Sequence, residues 1–326
     1  MSFFGGLFSG GAQKIDDTSD EYFLSDIKKT HLLSDNSKLV YLTKLGIVQN
    51  EFFEKPVSIW WVINNPIPFK KALLSFGQKH TGRLTGSLSP STMSQYIVPF
   101  ISIINSHREL QEKDPELLHI WKMLKAEVQK PVEDHYDSNQ PNEQQSKAMM
   151  TLSEISKIRD VLPDDSEAKL IIALYTMIPP VRNNFYHVRL YKEQPKDDED
   201  NYMVLNDDPA LYLNKYKTAK HYDTIKIELP DQLVDLIHKS LDRNPREYLF
   251  VNKKGLPYEN ANTFNKWANT ILKRVLKNPN FNLTMFRHIY ISDPSVDLIH
   301  KNRGQRKEIA HDMGHSTDTQ DKYLWK

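Results

Sequence analysis

An arginine, a histidine and a tyrosine stand in this order in the last part of the sequence: Arg287, His315 and Tyr323. Together they are what a metal-free enzyme needs to cut a phosphodiester with its own side chain. Arg287 can clamp a phosphate, His315 can hydrogen-bond a non-bridging oxygen, and Tyr323 can attack phosphorus. Upstream lie a second arginine, Arg182, and a lysine in an expected hairpin, Lys217. A phosphodiester repels nucleophiles by its negative charge, and attack concentrates further charge on the non-bridging oxygens. Two guanidiniums, planar and permanently charged, can hold those oxygens bidentately and stabilise the transition state. A tyrosine with an unperturbed pKa near ~10 is mostly protonated at neutrality, and neighbouring arginines assist loss of its proton. The covalent phosphotyrosine keeps the energy of the broken bond, so rejoining needs no nucleotide. The departing 5′-oxygen must be protonated, a task that suits a lysine on a hairpin.

Each of these residues also has a plainer use. Arg182 can cap carbonyls of the helix before it, His315 can be a helix C-cap residue after Gly314, and Tyr323 can be a surface residue in a frayed tail. Lys217 shares its turn with Lys215 and Lys220. Arg287 lies among Leu283, Met285 and Phe286, so it is expected to be buried and to need an anionic partner. His311 and His315 have a zinc-like spacing around Asp312, but Gly314 weakens that helix and no third ligand is evident. No metal site and no cofactor are expected.

The elements that must position these groups fall into two parts. With 326 residues the chain exceeds the usual size of one domain. The expected division is a flexible tail over 1–20, a helical DNA-binding domain over 21–130, a linker over 131–147 and a catalytic domain over 148–326. In the first domain, Ser89-Pro90 offers an N-cap and a proline at the first helical position. Met93, Tyr96, Ile97, Phe100, Ile101 and Ile104 then recur on one helical face, with Pro99 expected to kink it. Leu117, Leu118, Trp121, Leu124 and Val128 make a second stripe. The stretch 131–147 loses its apolar period and is polar. A Thr151-Leu-Ser-Glu154 capping box opens the second domain. The segment 166–176 is apolar nearly all round, which predicts a buried helix ending at Pro179-Pro180, directly before Arg182. Strands are expected over 202–205, 210–217 and 224–229, the last two as an antiparallel hairpin, and helices over 231–241 and 262–276.

The hydrophobic fraction of 39% and charged fraction of 26% fit a globular chain. No run approaches the roughly 18 apolar residues of a membrane helix. Residues 1–11 lack the pattern of a signal peptide, and with no cysteine there are no disulfides or thiol nucleophiles. The net charge of +1 conceals a split: residues 211–326 carry 20 Lys and Arg against 13 Asp and Glu, leaving the remainder acidic. The basic excess thus lies in the half that would need phosphate contacts.

Five pieces occur in order: Arg182 in Pro-Pro-Val-Arg-Asn-Asn, Lys217 in Asn-Lys-Tyr-Lys-Thr, Arg287 in Leu-Thr-Met-Phe-Arg-His, His315 in Met-Gly-His-Ser, and Tyr323 eight residues later. In these the sequence resembles the tyrosine recombinases, the phage-integrase family, most strongly over 151–323. Thr284 stands where that family's His-x-x-Arg has its histidine, His288 lies on a different helical angle, and Phe185 stands where an acidic residue is usual. The resemblance implies a mainly α fold with a small antiparallel β-sheet, made of a DNA breaking-and-rejoining catalytic domain and a helical core-binding domain. It implies site-specific recombination of double-stranded DNA through a 3′-phosphotyrosine, in the setting of a mobile element or virus, with Arg182, Lys217, Arg287, His315 and Tyr323 catalytic. The alternatives are a type IB topoisomerase or a catalytically silent DNA-binding protein of the same fold. The expected location is intracellular, wherever the target DNA resides, with no membrane partner. Only Leu324, Trp325 and Lys326 follow Tyr323, a reach of at most ~11 Å, in place of the helix that many family members dock on a neighbour. A monomer in solution that assembles as an oligomer on DNA is therefore expected.

Overall fold

The computed structural model describes residues 17–80, 88–196, 199–216, 219 and 223–325. The expected tail up to residue 16, Lys217 and Lys220 lie outside the described residues. The chain divides into two compact units, Met1–His135 and Tyr136–Lys326.

The first unit is helical: α1 (Asp17–Lys29), α2 (Asp35–Glu51), α3 (Ile59–Asn64), α4 (Pro66–His80), α5 (Pro90–Ser106), α6 (Arg108–Lys113) and α7 (Leu117–Asp137), whose last turn crosses into the second unit. Ser89 caps α5 by accepting from the Thr92 N–H, and the helix continues through Pro99 to Ser106. Its predicted stripe is buried at Met93, Tyr96, Ile97, Phe100 and Ile104, and packs with the α7 stripe in one core. Trp121 is fully buried there, stacks on Phe100 at 4.8 Å and donates its indole N–H to the Ile63 carbonyl at 3.0 Å.

The expected linker is partly helix. α7 runs through Pro131 to Asp137, and α8 (Glu143–Ala148) begins five residues beyond it. These last turns of α7 are mostly exposed, so they carry no apolar period to read; a Lys130–Asp134 pair at i,i+4 supports them.

The second unit is built around one buried helix. Thr151 and Glu154 form the predicted capping box at the head of α9 (Leu152–Val161). Ser166 caps α10 (Glu167–Thr176), in which Leu170, Ile171, Ile172, Ala173 and Leu174 are all fully buried. Beyond it the chain forms β1 (Val188–Tyr191), β2 (Asn201–Val204), β3 (Ala210–Leu213) and β4 (Ile225–Glu228), a four-stranded sheet in that order among the described residues. The β3–β4 hairpin is antiparallel with Leu211 opposite Ile227, as its alternation predicts. The sheet as a whole is mixed, not antiparallel: β1, absent from the sequence reading, pairs parallel with β2, Leu190 opposite Met203. Its four residues are too few to show a period, and their pairing depends on β2, which begins ten residues after β1 ends.

α11 (Asp231–Arg243) and α12 (Ala261–Val275) follow, and both bury one face against this core. The chain ends in α13 (Leu283–Ser292), α14 (Arg303–Asp312) and α15 (Thr317–Asp321). The unit is thus mainly helical with a small sheet. Among the described residues no helix is long and apolar enough to cross a membrane.

Candidate active site

α13 carries the first arginine into the interior. Asn282 caps it by accepting from the Thr284 N–H, and Leu283, Met285, Phe286, Ile289 and Ile291 are buried around it. Arg287 is 2% exposed. Its Nη1 donates to the carbonyls of Pro180 at 2.9 Å and Met313 at 2.8 Å, its Nη2 donates to Nδ1 of His315, and its Nε is buried with no partner. Burial lowers its pKa and the nearby Arg182 lowers it further, while Tyr323 opposes both through its charge and a side-chain hydrogen bond. Among the described residues, the groups that act electrostatically on Arg287 include no carboxylate. The anionic partner its burial requires is not supplied by this chain's described acids.

Arg182 reaches the same place from the turn after α10. The Tyr175 hydroxyl donates to the Arg182 carbonyl at 2.7 Å, which ties the Pro179-Pro180 turn back to the buried helix. The Arg182 side chain is half-buried, and its charge is felt by both Arg287 and His315.

His315 is placed by the way α14 ends. The Gly314 N–H donates to the His311 carbonyl and the His315 N–H to the Ala310 carbonyl, the paired bonds of a Schellman motif. The motif needs a left-handed residue, and Gly314 supplies it with φ of +66°. His315 is therefore a helix-ending residue and a site residue at once. Burial, then Arg287 and Arg182, push it down to about 3. Because Nδ1 accepts from Arg287, the neutral ring carries its proton on Nε2, which is buried and unpartnered. That N–H is free to donate to an oxygen not yet present.

Tyr323 completes the cluster. Its ring stacks on His315 with centroids 5.5 Å apart and an interplanar angle of 19°, and the Arg287 guanidinium lies 4.8 Å from its centroid. The expected residues Arg182, Arg287, His315 and Tyr323 thus come together. Lys217 lies outside the described residues, but Tyr216 before it packs beside Gly314, where an added Cβ would meet the Tyr216 ring at 3.6 Å. Lys215, its competitor, is engaged by Asp200 at 2.7 Å.

The departures from the expected pattern have clear places. Thr284 is exposed one turn before Arg287 and lines a polar cleft of about 520 Å³ with Gln145, Lys273 and His288. Phe185 is fully buried and edge-on to Tyr175, so it serves the core.

His288 needs correction. It does not point away: it is 6% exposed and its ring meets Tyr323 at 4.8 Å and stacks on Trp325 at 4.2 Å. The sequence signal was limited to context: Arg287 and His288 are adjacent polar residues among Met285, Phe286 and Ile289, which favours burial of both. Burial pushes His288 down to about 4, and Arg287 adds to this, against the hydrogen bond to the Tyr323 backbone. Below pH ~6.5 the unfolded chain therefore takes up a proton that the folded chain refuses until near pH 4, and stability is lost as pH falls through that window. The stability lost between pH 7 and pH 5 should be smaller in His288→Gln than in the wild type by about 2 kcal/mol. Urea unfolding at both pH values reads it; equal losses would mean that His288 titrates normally.

No protein-family model matches the sequence, and no curated protein matches it. Among solved structures, one described as "Crystal structure of XerA recombinase" is similar at 12% sequence identity, with a TM-score of 0.42 and coverage of 94% of each chain.

Proposed function

We propose that this protein is a site-specific DNA recombinase that cuts and rejoins double-stranded DNA through a 3′-phosphotyrosine on Tyr323. The observation that carries this reading is the buried Arg287, beside a second arginine, with no carboxylate acting on it among the described residues and a tyrosine ring against it. Two converging cations repel each other, so the cluster is complete only with an anion between them. A phosphodiester fits, because its two non-bridging oxygens can accept from Arg182, Arg287 and the open Nε2–H of His315.

In the reaction the Tyr323 oxygen attacks phosphorus as its proton leaves. The bond to the 5′-oxygen breaks, and that oxygen takes a proton from Lys217. The tyrosyl ester at the 3′ end keeps the bond energy. Attack by a 5′-hydroxyl reverses each step and joins a new partner strand. His315, held neutral, acts in this scheme as a hydrogen-bond donor and not as an acid.

The biological setting of this reading is integration or excision of a mobile or viral genome, in whichever compartment holds the target DNA. In this reading the protein acts as a monomer in solution and assembles on DNA.

The test uses a pool of nicked duplexes of random sequence, in which the cleaved fragment diffuses away and traps the intermediate. Adducts stable to detergent are expected, enriched in one sequence. A wild-type protein that yields none is not a strand-cutting enzyme, and relaxation of any supercoiled plasmid without paired sites would make it a topoisomerase. On the recovered sequence, Lys217→Ala should cleave slowly, by roughly 10²-fold or more, and regain its rate when sulfur replaces the bridging 5′-oxygen, since thiolate leaves without a proton. If Lys220→Ala responds to sulfur and Lys217→Ala does not, Lys220 is the acid.

A further inference from the structure

The residues that hold Tyr323 in place come from the other end of the same unit. α15 ends at Asp321, so the carbonyls that follow have no helical donor. Asn139 reaches one of them directly and Gln145 acts on another through His288; both lie in residues 136–148, the stretch by which the chain enters the second unit. Asn142 and Gln145 form a capping box at α8, in which Gln145 Oε1 accepts from the Asn142 N–H at 2.8 Å. This fixes the amide, and its Nε2 then donates to Nε2 of His288 at 3.2 Å. An amide nitrogen cannot accept, so His288 must carry its own proton on Nδ1, which donates to the Tyr323 carbonyl at 3.1 Å. The direction of every bond in this chain is thereby determined.

A second contact reaches the next residue. Asn139 sits in left-handed backbone with φ of +50°, and its amide nitrogen, oriented to satisfy its surroundings, donates to the carbonyls of Leu324 at 3.2 Å, Asp321 at 3.3 Å and Tyr136 at 3.3 Å. The Lys322 ammonium lies 5.3 Å from the centre of the Tyr136 ring. Asp321 and Leu324 are therefore held directly by one short stretch of chain about 180 positions earlier in the sequence, and Tyr323 is held through His288, with the Ser292 hydroxyl of α13 also at 3.5 Å from its carbonyl.

We infer that residues 136–148 are a positioning clamp for the Tyr323 nucleophile: Gln145 acts through His288 on the Tyr323 backbone, and Asn139 acts on Asp321 and Leu324. The inference rests on the nucleophilic role proposed above. It makes strand cutting dependent on the stretch through which the first unit leads into the second. A shift of that stretch withdraws the tyrosine from Arg287 while both arginines stay in place.

Asn139→Gly and Gln145→Leu test the clamp at two uncharged residues. Glycine keeps the left-handed backbone at 139 and removes only the amide. Each variant should cut the recovered nicked duplex at least tenfold more slowly in a single turnover, since small misplacements of a reacting group are costly. Affinity for the same duplex should stay within about twofold, as no cation has been removed. His288→Asn, whose amide can replace the Nδ1 donor, should keep more activity than His288→Ala. Amide hydrogen exchange at 323–325, measured without DNA, should accelerate about tenfold in both clamp variants. Wild-type cutting rates and unchanged exchange would overturn the clamp, as would a loss of affinity equal to the loss of rate. If the wild type forms no adduct, the nucleophile reading fails by itself, and the exchange measurement still decides whether 136–148 holds the tail.

Discussion

Tyr323→Phe is expected to form no covalent protein–DNA adduct while binding DNA within a few-fold of the wild type. The change removes one oxygen and no charge, so the phosphate-binding groups stay intact. The phenylalanine ring can still stack on His315 and lie against Arg287, contacts that the tyrosine makes through its ring and not its hydroxyl. The hydroxyl's hydrogen bond with Arg287 is lost, but the ring contacts remain to hold the segment, so the main loss is chemical. Adducts formed on the nicked duplex are counted after detergent treatment. A Tyr323→Phe protein that still forms them would move the nucleophile elsewhere.

Removing either arginine should be nearly as severe, for separable reasons. Arg182 is half-buried and feels the site mainly through charge, so Arg182→Ala should slow cutting by roughly 10²-fold or more with little loss of stability. Arg287→Ala should slow cutting by at least as much and also destabilise the second unit. It leaves the carbonyls of Pro180 and Met313 and Nδ1 of His315 without their donor, each costing about 1–3 kcal/mol if water does not enter. Arg287→Lys keeps the charge but cannot reach three acceptors in fixed directions, so it should rescue poorly. Single-turnover cutting rates beside urea unfolding separate the two effects. Near-normal rates in both alanine variants would leave the phosphate clamp without support.

The parts of this molecule that could be read in advance are those in which burial is one-sided. The stripes of α5 and α7 repeat with the helical period because one face is wet, and α10 was legible because it has no wet face. Local chemistry was equally plain at Ser89 and Thr151, where a cap announces a helix. Two kinds of feature were hidden. The final turns of α7 are exposed all round, so the sequence there looks like a linker although it is helical. Four-residue β1 is defined by β2 and not by its own pattern. The site shows the same division. Arg182, Arg287, His315 and Tyr323 could be picked out as residues with chemistry at a recognisable spacing. His288 could not be assigned a direction, since most of α13 is buried and helical angle does not say which buried residue meets Tyr323. Gln145 gave no sign at all, because its partner is 143 residues away and the bond between them exists only in space.

The buried guanidinium of Arg287 also bears on how stable the protein is in different salts. A cation in the interior that lacks a countercharge is held there against its preference for water, and any anion that reaches it binds the folded chain only. By mass action such an anion raises the melting temperature, by the equivalent of about 2.7 kcal/mol at one hundred times its dissociation constant. Sulfate should therefore stabilise the second unit more than chloride at equal ionic strength, and the excess should shrink in Arg287→Ala to the general effect of sulfate on folded proteins. Stability and DNA chemistry would then depend on the same buried guanidinium, so that an anion bound to Arg287 serves both.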